Sequence, residues 1–426
     1  MTDSPHDFPP PTASYEADPE NVSRVLLLYS GGLDTSVMLK WIQDSYEAEV
    51  VCLTVNLGQP GEDYEVIREK ALRLGALECH VVDAREEFAH EYVLPAIKAN
   101  ALYGGGYPLF TALGRPLIAK LAVEYARRSG CDTIAHGCTG KGNDQVRIEA
   151  TVATLAPELK TIAPVRSWQM GREEEIAYAR EHGIPIKTHQ AGGTGSEIAP
   201  YSIDDNLWGR SSEGRWIEEL DHAPEDDVFQ LVCRPELAPD EPETVTIEFE
   251  RGVPVGLNGQ RHDLVELLER AATIAARHGV GIVDHIEDRI VGLKVRDIYE
   301  APAAAILLPA HQELEKLVCT IHQNQFKGQL DRQWAYLVYA GLWWEPLRGD
   351  LDAYMESVNA QVTGTIGMKL YKGHARVVTR SSPCAIYDQA LASFGESGGL
   401  FSQSASPGFI ELWSLQSRMA WRLRNK

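Results

Sequence analysis

Residues 26–36 read Leu26-Leu27-Leu28-Tyr29-Ser30-Gly31-Gly32-Leu33-Asp34-Thr35-Ser36. An apolar strand runs straight into two glycines and then into a helical pattern. The glycines let the backbone take positive φ and approach a ligand closely. The helix start presents free N–H groups and the positive end of the dipole, which suits an anion. Ser30, Thr35 and Ser36 add hydroxyl donors. The string lacks the G-x-x-x-x-G-K-[ST] spacing of a Walker A loop.

Outward from this loop, residues 24–190 alternate between two textures. Strand-like runs fall at 24–29, 49–55, 77–83 and 133–136, and helical patterns at 34–43, 63–74, 86–100, 115–129, 144–155 and 172–182. Strand and helix in alternation predict a parallel sheet covered on both faces, and the apolar strands fit that burial. Residues 1–22 are rich in Pro, Asp, Glu and Ser, and are expected to be a disordered leader. Residues 191–243 are loop-rich and hold Gly192-Gly193-Thr194-Gly195-Ser196. Beyond them the pattern becomes α+β. Strands are expected at 244–251, 255–258, 365–371 and 375–379, and helices at 264–278, 303–319 and 333–344. The expected organisation is an α/β nucleotide-binding domain over 23–190, an α+β domain over 191–405 and a C-terminal helix within 406–426.

Composition narrows the function. Lys and Arg total 40 against 61 Asp and Glu, a net charge of −21, which argues against a nucleic-acid partner. Seven cysteines, odd in number and with no C-x-x-C pair, argue against a disulfide framework and a zinc ribbon. No run approaches the roughly 18 apolar residues needed to span a bilayer. No basic segment followed by an apolar stretch marks a secretory signal, so a cytoplasmic protein is expected.

A second motif, Ala135-His136-Gly137-Cys138-Thr139-Gly140-Lys141-Gly142-Asn143-Asp144-Gln145-Val146-Arg147-Ile148-Glu149, follows the strand expected at 133–136. In open α/β sheets, ligands bind at that carboxyl edge. Its glycines can fold over a ligand. Thr139, Asn143, Asp144 and Arg147 can bond a zwitterion, and Asn143 and Arg147 share a helical face.

The first string resembles the pyrophosphate-binding loop of N-type ATP pyrophosphatases, and the second resembles the second signature of the argininosuccinate synthases. Further likenesses lie at Tyr107, Thr111 and Arg115–Lys120, at Tyr201–Asp204, at Arg277–Gly281, at Ile298–Glu300 and at Leu370–Gly373, in order over residues 24–420. The resemblance implies an ATP-dependent ligase that joins citrulline to aspartate through citrullyl-AMP, releasing pyrophosphate and AMP. It implies ATP contacts at Leu28, Tyr29, Ser30, Gly31, Gly32, Leu33, Asp34, Thr35, Ser36, Val55 and Gly137. Aspartate would meet Thr139, Asn143 and Asp144. Citrulline would meet Tyr107, Asn143, Arg147, Ser202, Ser211, Glu287 and Tyr299. Asp34, Asn143 and Arg147 would carry the chemistry. Mg²⁺ would enter with ATP, held largely by phosphates near Asp34. A homotetramer with small-molecule substrates is implied, with neither nucleic acid nor membrane as a partner.

The sequence departs from the family pattern in places. Thr111 is followed by Ala112 where a Ser is usual. The family's K-S-R-G-I-Y-E is here Lys294-Val295-Arg296-Asp297-Ile298-Tyr299-Glu300. Two readings of Asp297 stay open: it faces solvent or pairs with Arg296, or it alters the citrulline side so that another ureido or amide acceptor is used. A tRNA-thiolating enzyme and a catalytically inactive binding paralogue are further alternatives.

Overall fold

In the computed structural model, β1 (Arg24–Leu28) is the middle strand of a five-stranded sheet. The structure describes residues 11–168, 170–185, 201–392 and 402–425. β2 (Glu49–Asn56), β3 (Glu78–Asp83), β4 (Thr133–Ala135) and β5 (Lys160–Ile162) complete the order β3-β2-β1-β4-β5, with every pairing parallel. Side chains alternate across the sheet with period 2. Val25, Leu27, Val50 and Cys52 therefore enter one core with Val37, Ile42 and Ala71. Leu26, Val51 and Leu53 enter the other with Leu113, Leu117 and Val152. Helices Leu33–Tyr46 and Tyr64–Arg73 cover the first face, and helices Phe110–Arg128 and Asp144–Leu155 the second. This is the doubly covered parallel sheet expected from the alternation.

The leader is a correction. Residues 1–10 lie outside the described residues, but residues 11–22 are not a disordered stretch. Glu16 bridges Thr161 in parallel fashion, Ala17 N donates to Thr161 O at 3.0 Å and Thr161 N donates to Tyr15 O at 2.9 Å. The segment satisfies the free edge of β5, and Ala17 and Val22 are buried against the core. β5 itself is only three residues long, too short for a periodic signal.

A second sheet, antiparallel, contains β6 (Ser202–Asn206), β7 (Gly209–Glu213), β11 (Ile282–Asp288) and β12 (Lys294–Glu300) in the order β11-β12-β7-β6. None of these four is expected from the sequence. Segments such as S-I-D-D-N and G-R-S-S-E are too polar to read as strands, because one face of this sheet walls a cavity rather than a core.

A third sheet has the order β10-β9-β8-β13-β14, from β8 (Glu243–Glu250), β9 (Val253–Leu257), β10 (Gln260–Arg261), β13 (Gly364–Tyr371) and β14 (His374–Ser381). Helix Leu264–Arg277 packs on β9, and helix Pro302–Val318 on β13. Expected over 333–344, the next helix instead spans Ile321–Tyr339. Thr320 and Gln323 close a capping box at its start, and Gly341 at φ +76° turns the chain after its end. A further helix, Pro346–Asn359, begins at a proline, as helices tolerate.

Residues 385–426 form a separate compact unit whose helix spans Ser406–Arg424. The domain boundary expected near residue 190, and the Gly192–Ser196 loop, lie outside the described residues.

Candidate active site

The order β3-β2-β1-β4-β5 reverses between β1 and β4. The chain winds outward from β1 to β3, then crosses back to β4 on the other side. Such a switch point opens a crevice at the carboxyl ends of the two strands. Both sequence motifs leave the sheet there, residues 29–32 from β1 and residues 136–142 from β4.

At the first, Gly31 holds φ +76°, and a Cβ there would stand 2.8 Å from Ile67 Cγ1. Lys70 Nζ donates to Gly31 O at 2.9 Å and Thr54 Oγ1 to Tyr29 O at 2.7 Å, so the carbonyls are tied back. Gly32 caps the helix without a side-chain bond, which leaves first-turn N–H groups for an anion. Ser30 and Thr35 hydroxyls lie 3.2 Å apart at the exposed rim. Ser36 departs from the expected donor role. Its hydroxyl is buried and donates to Gly32 O at 2.6 Å, with Tyr29 OH at 3.1 Å. It braces the loop from within. Tyr29 is likewise buried, and burial pushes its phenol up to about 12. Leu33 packs on the core side.

A cavity of about 260 Å³ opens beside this loop, lined by Leu28, Tyr29, Ser30, Val55 and Gly137 among others. A second, of about 230 Å³, adjoins it. Tyr107, Thr139, Asn143, Asp144, Arg147, Ser202, Ser211, Glu287 and Tyr299 all line the second. These are the residues expected to meet the two amino acids, drawn together from positions 107 to 299. The two cavities share Arg115, Gly137, Cys138 and Asp204.

His136 shapes the second motif. Its Nδ1 accepts from Cys138 N at 3.2 Å, so its Nε2–H donates to Glu149 at 2.9 Å, and Arg166 holds that carboxylate in turn. Asn143 is anchored on both sides: Nδ2 donates to Tyr339 OH at 2.7 Å, and Oδ1 accepts from Ile290 N at 3.1 Å. Arg147 donates Nη1–H to Asp144 at 2.8 Å and Nε–H to Tyr339 O at 3.1 Å. Its Nη2 is buried with no hydrogen-bond partner among the described residues. Arg147 is one of the cavity-lining residues, and a guanidinium with a nitrogen left unpaired suits a carboxylate ligand.

Sequence reasoning assigned no role to Arg115, Asp204, Glu213, Arg289 or Tyr339. Arg115 Nη2 stands 2.8 Å from Asp144 and 2.6 Å from Asp204. An arginine within the apolar run of helix Phe110–Arg128 was the available signal, since a buried charge needs a partner. Burial works to raise Asp144, but Arg115 and then Arg147 outweigh it and hold the carboxyl at about 2. Tyr339 OH donates to Glu287 Oε1 at 2.6 Å, and Tyr299 OH bonds Glu287 Oε2 more closely still. Nothing local marks Tyr339 as part of the site.

Asp297 corrects one expectation. It neither faces solvent nor pairs with Arg296. Strand alternation turns Arg296 to the far side, where it binds Asp284, and turns Asp297 inward, where it is buried in the cavity wall. Arg289 Nη2 lies 3.6 Å from it and Tyr299 OH 3.2 Å. Burial first, then the charges of Glu213 and Glu287, push its carboxyl up to about 7 against the pull of Arg289. Ala112 is buried in the core, and neither it nor Val295 is among the cavity-lining residues.

Two family models cover the chain. One, described as the arginosuccinate synthase N-terminal HUP domain, matches residues 24–185, and the arginosuccinate synthase C-terminal domain matches residues 201–420. Among curated relatives, the argininosuccinate synthase of Rubrobacter xylanophilus is 55% identical over 395 residues, covering 93% of this chain and 94% of its own length. That of Pyrococcus furiosus is 49% identical over 400 residues, covering 94% and 95%. That of Symbiobacterium thermophilum is 48% identical over 396 residues, covering 93% and 97%.

Proposed function

This chain belongs to the argininosuccinate synthase family, and we propose from that premise that it condenses citrulline with aspartate, using ATP, as a step of arginine biosynthesis. The observation that carries this reading is the adjacency of the two cavities through Arg115, Gly137, Cys138 and Asp204. An acceptor in one then meets the α-phosphate of a nucleotide in the other. The ureido oxygen attacks that phosphorus, citrullyl-AMP forms and pyrophosphate leaves. The aspartate amine then displaces AMP.

A ureido oxygen is a weak nucleophile, and alignment and charge stabilisation carry such a step better than a strong base. Leu28, Tyr29, Val55 and Gly137 would frame the nucleotide. Ser30, the Gly31–Gly32 amides, Leu33 and Thr35 would surround the pyrophosphate, with Ser36 bracing the loop. Thr139, Asn143 and Asp144 would hold aspartate. Tyr107, Asn143, Arg147, Ser202, Ser211, Glu287 and Tyr299 would hold citrulline, with Arg147 taking its carboxylate.

Among the described residues, no group of three or more His, Cys, Asp or Glu could hold a metal alone. Mg²⁺ would enter with ATP, carried largely by the phosphates, with Asp34 as the protein's carboxylate. The ion would neutralise charge on the departing pyrophosphate. The protein would be a cytoplasmic homotetramer. All seven cysteines are free thiols, and no helix of the described residues is long and apolar enough to cross a membrane. Phe409, Ile410, Leu412 and Trp413 leave helix Ser406–Arg424 with an apolar surface for an oligomer contact.

Pyrophosphate release tests the function. Release over many turnovers should require citrulline and aspartate together, with argininosuccinate as product by mass. Release with a different ureido or amide acceptor, and none with citrulline, would overturn the reading.

A further inference from the structure

On β7, β11 and β12 the wall of the amino-acid cavity carries three carboxylates, Glu213, Glu287 and Asp297, against one guanidinium, Arg289. The other charges of the lining are balanced: Arg115 and Arg147 on the helices pair with Asp144 and, on β6, with Asp204. The excess negative charge is therefore local, and it sits around Tyr299. The Tyr299 hydroxyl lies 3.2 Å from Asp297 and closer still to Glu287. It has one proton, and the nearer carboxylate takes it. Among the described residues Asp297 then keeps only Arg289 as a cation, at 3.6 Å, and the same Nη2 is held more tightly by Glu213. A carboxylate buried to 5% exposure with its acceptor capacity unfilled is costly unless a ligand fills it.

We propose that Asp297 is a specificity-determining residue, which together with Glu287 grips the α-ammonium of the citrulline-side substrate between two carboxylates. This rests on the reading that the cavity takes citrulline. Its polarity fits a zwitterion, with the partnerless Arg147 Nη2 on the helix wall for the carboxylate and the carboxylate-rich sheet wall for the ammonium.

The groups facing Asp297 set the pH behaviour. Glu213 faces it from β7, and Arg289 from the turn after β11. His285 is its cross-strand partner on β11, with Glu287 two residues on. Tyr299 flanks it on β12, and Tyr339 reaches Glu287 from helix Ile321–Tyr339. Tyr107, Asp144 and Arg147 stand across the cavity. In the free protein burial, Glu213 and Glu287 hold the Asp297 proton until about pH 7. An arriving ammonium opposes those effects and favours ionisation. Citrulline binding then releases a proton, and affinity rises with pH through neutrality.

The experiment is steady-state pyrophosphate release by the full chain between pH 6 and 8. The citrulline KM of the wild type should fall several-fold over that range. In Asp297→Asn it should be about tenfold higher at pH 8 and independent of pH. Its kcat and its KM values for ATP and aspartate should stay within about twofold, a split that general damage to the fold would not give. Nα-acetylcitrulline, which lacks the ammonium, should be rejected by the wild type far more strongly relative to citrulline than by the variant. A flat wild-type profile overturns the proposal without any variant, and so does a variant with the wild-type KM and profile. If the wild type turns over but Asp297→Asn matches it, this inference alone fails. If the wild type releases no pyrophosphate with citrulline, the functional reading fails with it.

Discussion

Arg115 Nη2 and Asp144 Oδ2 stand 2.8 Å apart at the boundary shared by the two cavities. The same nitrogen reaches Asp204 on β6. One guanidinium thus ties the second motif to the second sheet, at the point where the proposed nucleotide and acceptor sites adjoin. Replacing Arg115 with Ala removes the cation paired with the part-exposed Asp204 and one of the two paired with the more buried Asp144. The expected result is a fall of at least about a hundredfold in the turnover efficiency with respect to aspartate, and a lower unfolding midpoint. Asp144 also gives this region an acid limit. Its folded value is about 2 against the usual 3.8, so its contribution to stability is complete above the usual value and is lost as pH falls towards 2. Arg115→Ala should move that loss to higher pH in acid-unfolding curves.

Gly31→Ala places a Cβ on a backbone at φ +76° and within 2.8 Å of Ile67 Cγ1. Conformation alone costs roughly 1–2 kcal/mol. The ATP KM should rise about tenfold or more and thermal stability should drop. Adding Ile67→Ala should recover only the steric share of the ATP effect, because the left-handed φ remains.

Tyr339 accepts a hydrogen bond from Asn143 and donates one to Glu287. Tyr339→Phe keeps the ring and its stacking on Tyr103, at 3.5 Å between centroids, and removes only the hydroxyl. The citrulline KM should increase about tenfold, with a smaller effect on ATP. An unchanged citrulline KM would show that Glu287 needs no orientation from this helix.

Asp297 sets a stability prediction independent of substrate. Its folded value of about 7 lies above the usual 3.8. The stability it contributes is therefore fully present below the usual value and lost as pH rises through 7. Asp297→Asn, uncharged throughout, should unfold roughly 2–4 °C higher than the wild type at pH 8, with a smaller difference at pH 5. Thermal scans at the two pH values check this directly.

Asp34 lies in the first turn of the helix that leaves the phosphate loop. Chelation should abolish pyrophosphate release and added Mg²⁺ should restore it. Asp34→Asn should raise the Mg²⁺ concentration needed for half-maximal rate by about tenfold or more. Titrating Mg²⁺ at fixed ATP measures this.

Legibility in the sequence followed how local each feature is. Residues 28–36 sit in one strand–loop–helix unit, so the Gly31–Gly32 turn and the helix start are marked by consecutive residues, although Lys70 and Thr54 brace the loop from elsewhere in the chain. The 135–149 motif is legible for the same reason, and the alternation around both reveals the parallel sheet. β6, β7, β11 and β12 escape because a strand whose inner face lines a polar cavity loses the apolar period that marks a strand. Tyr339 escapes because its role depends on a contact with Asn143, 196 residues away in the chain.

What the sequence alone determined is therefore the strand–glycine–helix loop, the doubly covered parallel sheet that carries it and the polar groups the two motifs offer. What only the tertiary structure decided is the direction and company of individual side chains. Ser36 turns its hydroxyl inward to Gly32 O, whereas Ser30 and Thr35 keep theirs at the rim. Asp297 turns into the cavity, while Arg296 beside it turns away. The physical reason is the same in both cases. A residue's type sets what it can donate, accept or charge, but strand register and helix packing decide which partners lie within about 3 Å of it, and those distances arise only when distant segments meet.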